Sequence, residues 1–427
     1  MKNFTFNYLI SLGLSLILAI STLYTQAQTF EFSDSWAKEG FNLKSENRSG
    51  VNVVYSIRSF TMADITTAEG ETAKNILLPH HFLPNDEGAP NLPGSGRYIA
   101  IPNGAKPVLN IVSSRTEKYT GIDVAPAPRI PLDTDNEPLK FIKDNNLYEK
   151  NAFYPASPIA LSEVSKIRGV EVVILGITPF QYNPVTKELI VYRDIEVEVQ
   201  FEGGTGTYGD PRLRSRFWDP VLNDALMNYE SLPEINYAER IVNNRSDEGS
   251  EYVIIVPDGP EFMDWAEVIQ EHRVKQGITT QIITLSEIGG NSAPQIESFI
   301  DDMYNNWDPA PSAILLMADY GSNMNNSITS PLWDNYCVSD NIYADVDNDD
   351  MPDIILARMT ANNETELETY VTKFINYEMD PPMSFDFYDH PITALGYQTE
   401  RWFQICSESV AGFFEVVHGK NPVRINA

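Results

Sequence analysis

The stretch YVIIVPDGPEFMDWAEVIQEHRVKQGITTQIITL, residues 252–285, decides the fold of the second half of the chain. It begins with a short apolar run, continues with a helix-length segment that ends at Gly277, and closes with a second apolar run. Apolar strands that alternate with helices are typical of a parallel sheet covered on both faces. The alternation continues toward the end of the sequence. We therefore expect residues 251–427 to form a three-layer α/β domain.

The first half of the chain has a different pattern. Short runs rich in β-branched and aromatic residues are broken by proline and glycine between Val51 and Phe201. In ELIVYRDIEVEVQF, residues 188–201, apolar side chains alternate with polar ones toward the end of the run. Alternation with period two is typical of a half-buried antiparallel strand. Residues 28–215 are accordingly predicted to form an all-β, sandwich-like domain, so the chain is multidomain.

The composition changes between these two domains. Residues 216–250 include the charged and asparagine-rich piece AERIVNNRSDEGS, which is typical of a linker or an exposed domain boundary. A short helix is predicted inside this region, from Trp218 to Tyr229.

The N-terminal residues carry the pattern of an export signal. One lysine precedes an apolar run from Tyr8 to Ile20, and a small-residue site ending at Ala27 follows. This order is typical of a secretory signal peptide, here residues 1–27, with cleavage after Ala27. The apolar run is shorter than the roughly 20 residues of a membrane span. We expect a secreted or cell-surface protein with no integral membrane segment after signal removal.

Composition excludes one class of partner. The 427 residues include 60 acidic and 30 basic side chains, which gives a net charge of −30. A chain of this charge repels nucleic acid. The 2 cysteines, Cys337 and Cys406, show no spacing that signals a disulfide, so both are predicted to be unpaired.

The segment SDNIYADVDNDDMPD, residues 339–353, concentrates carboxylates. Carboxylates this close together repel one another unless a hard cation lies among them, and oxygen ligands suit calcium. The segment is not an EF-hand loop, because Asp350 stands at the usual glycine position and Leu356 replaces the bidentate glutamate. A structural calcium site and a solvated acidic loop are the two interpretations. The predicted ligands are Asp345, Asp347, Asp349 and Asp353.

Cys406 and His418 are the first pair to consider as a nucleophile and its base. Both lie in one predicted helix, and 12 residues of helix span roughly 18 Å, whereas the two groups must be about 3 Å apart. Cys406 shares its helical face with apolar residues, which predicts a buried, unreactive cysteine. The alternatives are Cys406 with another histidine, a reactive Cys337, and a metal site at adjacent histidines. The histidines concerned are His272, His390, His80 and His81.

Several longer stretches resemble the gingipain family of cysteine peptidases. EGAPNLPGSGRYIAIPNGA, APAPRIPLD and ITPFQYNPVTKELIVYRDIEVEV resemble the propeptide of that family. YVIIVP, WDNYCVSDNIYADVDNDDMPDIILARM and GYQTERWFQICSE look like the start of its catalytic domain. The resemblance covers nearly all of the chain after the signal.

The resemblance implies a caspase-like catalytic domain whose nucleophilic cysteine and histidine both follow strands late in the domain. Neither Cys406 nor His418 matches those positions, so the dyad is expected beyond Ala427. The sequence is then a fragment, truncated on the C-terminal side of the α/β domain and inactive by itself. The resemblance also implies calcium at the acidic loop and propeptide cleavage in the linker, for which Arg240 and Arg245 are the predicted points.

Two functions from different classes follow. The first is a secreted cysteine-type endopeptidase zymogen that acts on proteins or peptides and is inhibited and assisted in folding by its own propeptide. The second is a non-catalytic, calcium-stabilised surface protein that binds through a peptidase-like fold. The residues beyond Ala427 discriminate between them.

Overall fold

A computed structural model of the chain describes residues 27–79, 81, 86–128, 139–238, 249–396 and 401–426. Within these residues the first half is built mainly from strands, and the second half alternates strands with helices. The chain is therefore a multidomain protein with both sheets and helices. No helix in these ranges is both long enough and apolar enough to cross a membrane.

The first half, which we call the β half, forms from residues 27–203. Its elements are β1 (Ala27–Glu31), β2 (Gly40–Asn47), β3 (Gly50–Ser56), β4 (Ser59–Thr66), β5 (Thr72–Leu77), β6 (Ser95–Ala100), β7 (Ala105–Thr120), α1 (Asn145–Tyr148), β8 (Ile159–Leu161), β9 (Ser165–Ile167), β10 (Val170–Ile177), β11 (Phe180–Asn183) and β12 (Glu188–Gly203).

These strands form antiparallel sheets. One has the order β1-β4-β5, a second has β6-β10-β8 with β9 also on β10, and a third has β11-β12-β3-β2 with β7 also on β12. The predicted alternation in β12 is confirmed, because Ile195, Val197 and Val199 are each 0% exposed. Asp194 is buried among them, and Arg115 and Ser56 donate hydrogen bonds to its carboxylate. Its charge is thereby compensated inside the sheet.

A connecting segment follows the β half. It contains α2 (Asp219–Ala225) and a short 3-10 helix (Tyr229–Ser231), so the predicted helix forms over part of its length. Trp218 and Leu222 are 4% and 0% exposed and pack against Val170 and Val172 of β10. The start of the predicted linker is thus packed on the β half rather than exposed, because its apolar side chains pack against β10.

The second half, which we call the α/β half, follows from residue 251. Its elements are β13 (Tyr252–Val256), α3 (Pro260–Lys275), β14 (Thr280–Thr284), α4 (Leu285–Ile288), α5 (Ala293–Asn306), β15 (Ala313–Leu316), β16 (Asp319–Tyr320), β17 (Ser327–Ile328), β18 (Leu332–Trp333), β19 (Cys337–Val338), α6 (Asn341–Ala344), β20 (Ile355–Arg358), α7 (Glu364–Met379), α8 (Phe385–Asp389), β21 (Ile392–Leu395), α9 (Arg401–His418) and β22 (Val423–Asn426).

A parallel sheet with the order β14-β13-β15-β20 is the centre of the α/β half. The predicted end of α3 is confirmed, since Gly277, with φ +78°, follows its C-cap. Pro260 stands in the first turn of the helix, where its missing N–H costs no hydrogen bond. Apolar side chains of α3 and α5, among them Phe262 and Ile300, are buried in one core with the strands. This core fixes which strand ends lie together at each edge of the sheet.

The helix α9 forms as predicted, but the burial expected for its apolar face is wrong for the described side chains. Phe403, Val410 and Phe413 are 45%, 50% and 47% exposed, and Cys406 is half-buried. The helix packs against β21, which pairs in parallel with β22, and among the described residues this sheet has 2 strands. So narrow a sheet does not cover the whole face.

Candidate metal centre at the contact between the two halves

The acidic loop, residues 345–354, connects α6 to β20 and folds back on its first residue. The carboxylate of Asp345 accepts the backbone N–H groups of Asp349 and Asp350 at 3.1 and 3.0 Å. Asn348 and Asp350 have φ of +59° and +68°. The left-handed conformation at these two positions is what closes the loop, and Asn and Asp tolerate it better than most residues do.

Three of the four predicted ligands come together in this loop. Asp345, Asp347 and Asp353 each offer a carboxylate oxygen, and these oxygens lie within 4.8 Å of one another. Asp349 lies outside this group. Its carboxylate instead accepts the N–H of Met351 at 3.0 Å and an N–H from the β half at 2.6 Å.

Burial and like charge shape the electrostatics of the group. Asp353 is 1% exposed, and burial followed by the charge of Asp347 raises its pKa to about 6. The Tyr304 hydroxyl and the Val346 N–H each donate a hydrogen bond to the Asp353 carboxylate. Burial also raises the pKa of Asp345. Both shifts mean that the folded loop disfavours its own negative charge unless a cation is close.

This donor set fits a hard cation. Oxygens that bind Ca²⁺ stand about 2.3–2.6 Å from the ion, so two ligand oxygens up to roughly 5 Å apart can share it. The spacing of at most 4.8 Å among Asp345, Asp347 and Asp353 satisfies that limit. These three side chains are therefore the ones that would hold the ion.

The β half contacts the α/β half beside this loop. Lys166 of β9 donates its backbone N–H to Asp349 at 2.6 Å and its ammonium group to Asp347 at 3.1 Å. From the connecting segment, the indole N–H of Trp218 donates to the Ser312 carbonyl oxygen at 3.0 Å. Ser312 and the acidic loop immediately precede β15 and β20, so these contacts lie at the amino-terminal edge of the parallel sheet.

Arg168 also belongs to this contact, and the sequence alone did not identify it. It is 1% exposed and donates hydrogen bonds to backbone carbonyl oxygens of the connecting segment, at Leu213, and of the α/β half, at Pro311 and Asp353. The available signal was its position directly before Gly169, between two strand-like runs. Asparagine is the residue usually found before glycine in such a turn.

The two cysteines are free, which confirms the prediction that they are unpaired. Cys337 is exposed in the short strand β19, and Cys406 is half-buried in α9. Within the described residues neither sulfur is hydrogen-bonded to a histidine ring.

The histidine side chains have other partners. His272 contacts the Glu378 carboxylate at 2.9 Å, and His390 contacts Asp386 at 3.1 Å. The ring of His418 lies 5.1 Å from a phenylalanine ring of its own helix.

Other predicted site residues lie at or beyond the limits of the described ranges. Ala27 is the first described residue and begins β1. The predicted cleavage points Arg240 and Arg245 lie outside the described residues, as does His80. His81 is described, and its ring contacts the Pro79 carbonyl oxygen at 2.7 Å.

Two family models match the chain. The model Propeptide_C25 matches residues 40–234, and the model Peptidase family C25 matches residues 245–410. The two matches do not overlap, and together they cover more than half of the chain.

Curated relatives come from Porphyromonas gingivalis. Lys-gingipain is 25% identical over 342 residues, which are 75% of this chain and 19% of that protein. Gingipain R2 is 24% identical over 348 residues, which are 79% of this chain and 44% of that protein. The chain thus spans less than half the length of these relatives.

Solved structures with partial likeness include a complex of the RgpB pro- and mature domains from the same organism, with a TM-score of 0.40, 22% identity, and coverage of 45% of this chain and 97% of that chain. The zymogen structure of gingipain K gives a TM-score of 0.34 and 22% identity over 42% of this chain and 99% of that chain. On the two family models and the curated relatives, the chain belongs to the gingipain family of cysteine peptidases, peptidase family C25, and carries that family's propeptide.

Proposed function

We propose that the protein is the secreted precursor of a cysteine endopeptidase. The β half is its propeptide, with a sandwich-like fold, and the α/β half is the N-terminal part of a caspase-like, three-layer catalytic domain. The observation that carries this proposal is the order of the two family matches. They meet between residues 234 and 245, inside the predicted linker.

The chemistry of such an enzyme needs a thiolate and a base. The thiolate attacks the peptide carbonyl carbon, and the histidine takes the thiol proton and returns it to the leaving amine. We place this dyad beyond Ala427, which the greater length of the curated relatives supports. In open α/β sheets sites gather beyond the carboxyl ends of strands, so the carboxyl-terminal edge of this sheet is where the dyad is expected.

The propeptide is proposed to keep the enzyme latent and to assist its folding until it is cut in the linker. Arg240 and Arg245 are the proposed cleavage points, and Ala27 ends the proposed signal peptide. Proteins or peptides are the proposed substrates. The mature enzyme is proposed to be released or held at the cell surface, in keeping with the export signal.

Calcium is proposed as a structural ion of the acidic loop. Asp345, Asp347 and Asp353 would bind it, and Asp349 stays a predicted ligand that the described geometry turns toward the β half. The ion would compensate the crowded carboxylates and thereby stabilise the loop before β20.

The experiment that tests the enzyme proposal uses the precursor encoded through and beyond Ala427. After cleavage in the linker, it should hydrolyse a protein substrate, and a thiol-alkylating reagent should abolish the activity. A matched precursor with C337S and C406S should retain the activity, because neither thiol belongs to the dyad. Loss of activity in C406S alone would identify Cys406 as the nucleophile. A precursor without thiol-dependent hydrolysis would leave the non-catalytic binding protein as the function.

A further inference from the structure

We propose that the α/β half carries a built receptor for an arginine side chain at the amino-terminal edge of its sheet. Arg168, at the tip of a hairpin of the β half, is the occupant that holds the two halves together. We call this receptor the guanidinium socket, formed by Tyr304, Ala310, Pro311 and Asp353. The inference rests on the proposed function, because it takes the β half to be a propeptide that must later separate.

The hydrogen bonds of Arg168 define the socket. One terminal nitrogen of its guanidinium donates to the carbonyl oxygens of Pro311 and Asp353 at 2.8 and 2.9 Å. The other terminal nitrogen donates to the Ala310 carbonyl oxygen at 3.3 Å. These three acceptors immediately precede β15 and β20, so the α/β half supplies a fixed row of backbone oxygens.

The guanidinium also lies over two aromatic rings. The guanidinium carbon lies 5.0 Å from the centroid of the Tyr304 ring and 5.8 Å from that of the Trp218 ring. The Nε–H donates to the Leu213 carbonyl oxygen at 2.7 Å. A planar group with a fixed fork of donors fits such an arrangement, whereas a lysine ammonium would be a point charge between the rings.

The backbone of the hairpin places Arg168 at a turn position that favours other residue types. Ile167 and Val170 are paired residues of β9 and β10, so Arg168 and Gly169 form a two-residue loop. Their φ angles are +51° and +73°. Asparagine or glycine is favoured at the first of these positions, and a long side chain is disfavoured there. An arginine held in this conformation and fully buried indicates that its side chain is needed in the socket.

The socket lies on the opposite edge of the sheet from the expected catalytic site. Ala310 and Pro311 come before the first residue of β15, whereas sites in open sheets gather beyond the carboxyl ends. Docking through Arg168 is therefore separable from any blockade of the catalytic edge. The partner that the socket fits is an arginine side chain presented at the tip of a tight hairpin.

The test uses the full chain with a specific protease recognition sequence in place of residues 240–245. After cleavage at that sequence, the two halves are diluted serially and their association is measured by gel filtration. The unsubstituted protein should remain a complex. In R168N the local turn is improved, because Asn-Gly is the favoured pair, but the guanidinium is lost. We expect the Kd between the halves to rise roughly 30-fold or more, as for the loss of a buried anchor residue.

The matched control is K187N in the hairpin between β11 and β12. Lys187 is also a basic residue at positive φ, +53°, but its partner Asp123 belongs to the same half. The control should leave the Kd unchanged. If R168N does not yield folded protein, the Kd between the halves is measured for R168K instead. That variant keeps the charge but loses the fork of donors, so its Kd should also rise.

An R168N or R168K protein whose halves associate as tightly as those of the unsubstituted chain would overturn the socket. Gel filtration of the diluted halves reports their association from molecular size and needs no enzymatic activity. Separation in R168N without thiol-dependent hydrolysis by the longer precursor would therefore refute the proposed function and leave the socket standing. Thiol-dependent hydrolysis by the longer precursor, together with an unchanged Kd between the halves in R168N, would refute the socket and leave the proposed function standing.

Discussion

The two edges of the parallel sheet differ in what covers them. At the amino-terminal edge, Trp218 from the connecting segment is 4% exposed and reaches a carbonyl oxygen before β15. At the carboxyl-terminal edge, Arg358 ends β20 and holds Asp340 through two hydrogen bonds of 2.6 and 2.7 Å. The hairpin β18–β19 precedes Asp340 in the sequence, and its Trp333 is 53% exposed.

This difference separates anchoring from chemistry. The contacts between the described parts of the two halves concentrate where strands begin, and catalytic groups in open sheets collect where strands end. A propeptide attached at the first edge can remain bound while the second edge changes. The comparison therefore predicts that substitutions at the two edges act on different properties.

The largest effect is expected from W218A. Removing a buried tryptophan leaves a cavity and should lower the free energy of unfolding by about 3–5 kcal/mol. The Ser312 carbonyl oxygen loses the indole N–H but keeps its hydrogen bond from the Ile355 N–H at 3.1 Å. The matched W333A at the other edge should change it by less than about 0.5 kcal/mol, because that side chain is half exposed. Urea unfolding followed by far-UV circular dichroism measures both. Similar losses of unfolding free energy in W218A and W333A would contradict the difference between the two edges.

The next effect concerns calcium at the amino-terminal edge. At a concentration 100-fold above its Kd, the ion should stabilise the folded chain by about 2.7 kcal/mol, and a chelator should reverse this. In D345N the effect should be strongly reduced, since one of the grouped carboxylates is lost. D350N is the control, because Asp350 lies in the same loop but not in that group. Thermal unfolding with and without calcium measures this stabilisation. Equal stabilisation of D345N and D350N would contradict the proposed calcium site.

A smaller effect concerns pH in calcium-free buffer. The pKa of Asp353 is raised from 3.8 to about 6 in the folded chain, first by burial and then by Asp347. A carboxyl group with a raised pKa binds its proton more tightly in the folded state, so its contribution to stability falls as the pH rises from about 4 to 6. Unfolding midpoints measured across that window should decline less in D353N than in the unsubstituted protein. Parallel declines would contradict the shift.

The smallest effect is expected from K166M. The Lys166 ammonium contacts Asp347 at 3.1 Å and is 44% exposed, so the ion pair contributes at most about 1 kcal/mol to stability. Its removal takes a positive charge away from the proposed calcium ligands. Calcium affinity, measured by titration calorimetry, should increase a few-fold. K187N is the control for loss of a lysine elsewhere, and a decreased affinity in K166M would show that the lysine does not compete with the ion.

Local patterns in the sequence predicted the strand-rich first half and the alternation of strands and helices in the second. The alternation in β12 and the strand–helix order around α3 were both visible, because each depends on neighbours within a few residues. The acidic loop was visible for the same reason, since Asp345, Asp347 and Asp353 are close in sequence.

Contacts between distant segments were not predictable in this way. Arg168 meets Asp353 across 185 positions, and Lys166 turns the carboxylate of Asp349 away from the group across 183. Nothing in the residues near Trp218 distinguished a packed segment from an exposed linker. The apolar face of α9 shows the opposite error, because periodicity gives the face of a helix but not the partner that covers it.

The most direct test of the central claim is a time course of linker cleavage in the precursor encoded through and beyond Ala427. The cut between residues 239 and 248 and the thiol-dependent hydrolysis of a protein substrate are followed in the same sample. We expect no hydrolysis before the cut and hydrolysis that rises after it, as the β half separates. Full hydrolysis by the uncut chain, or none after complete separation of the halves, would contradict the interpretation of the β half as the propeptide of a cysteine peptidase.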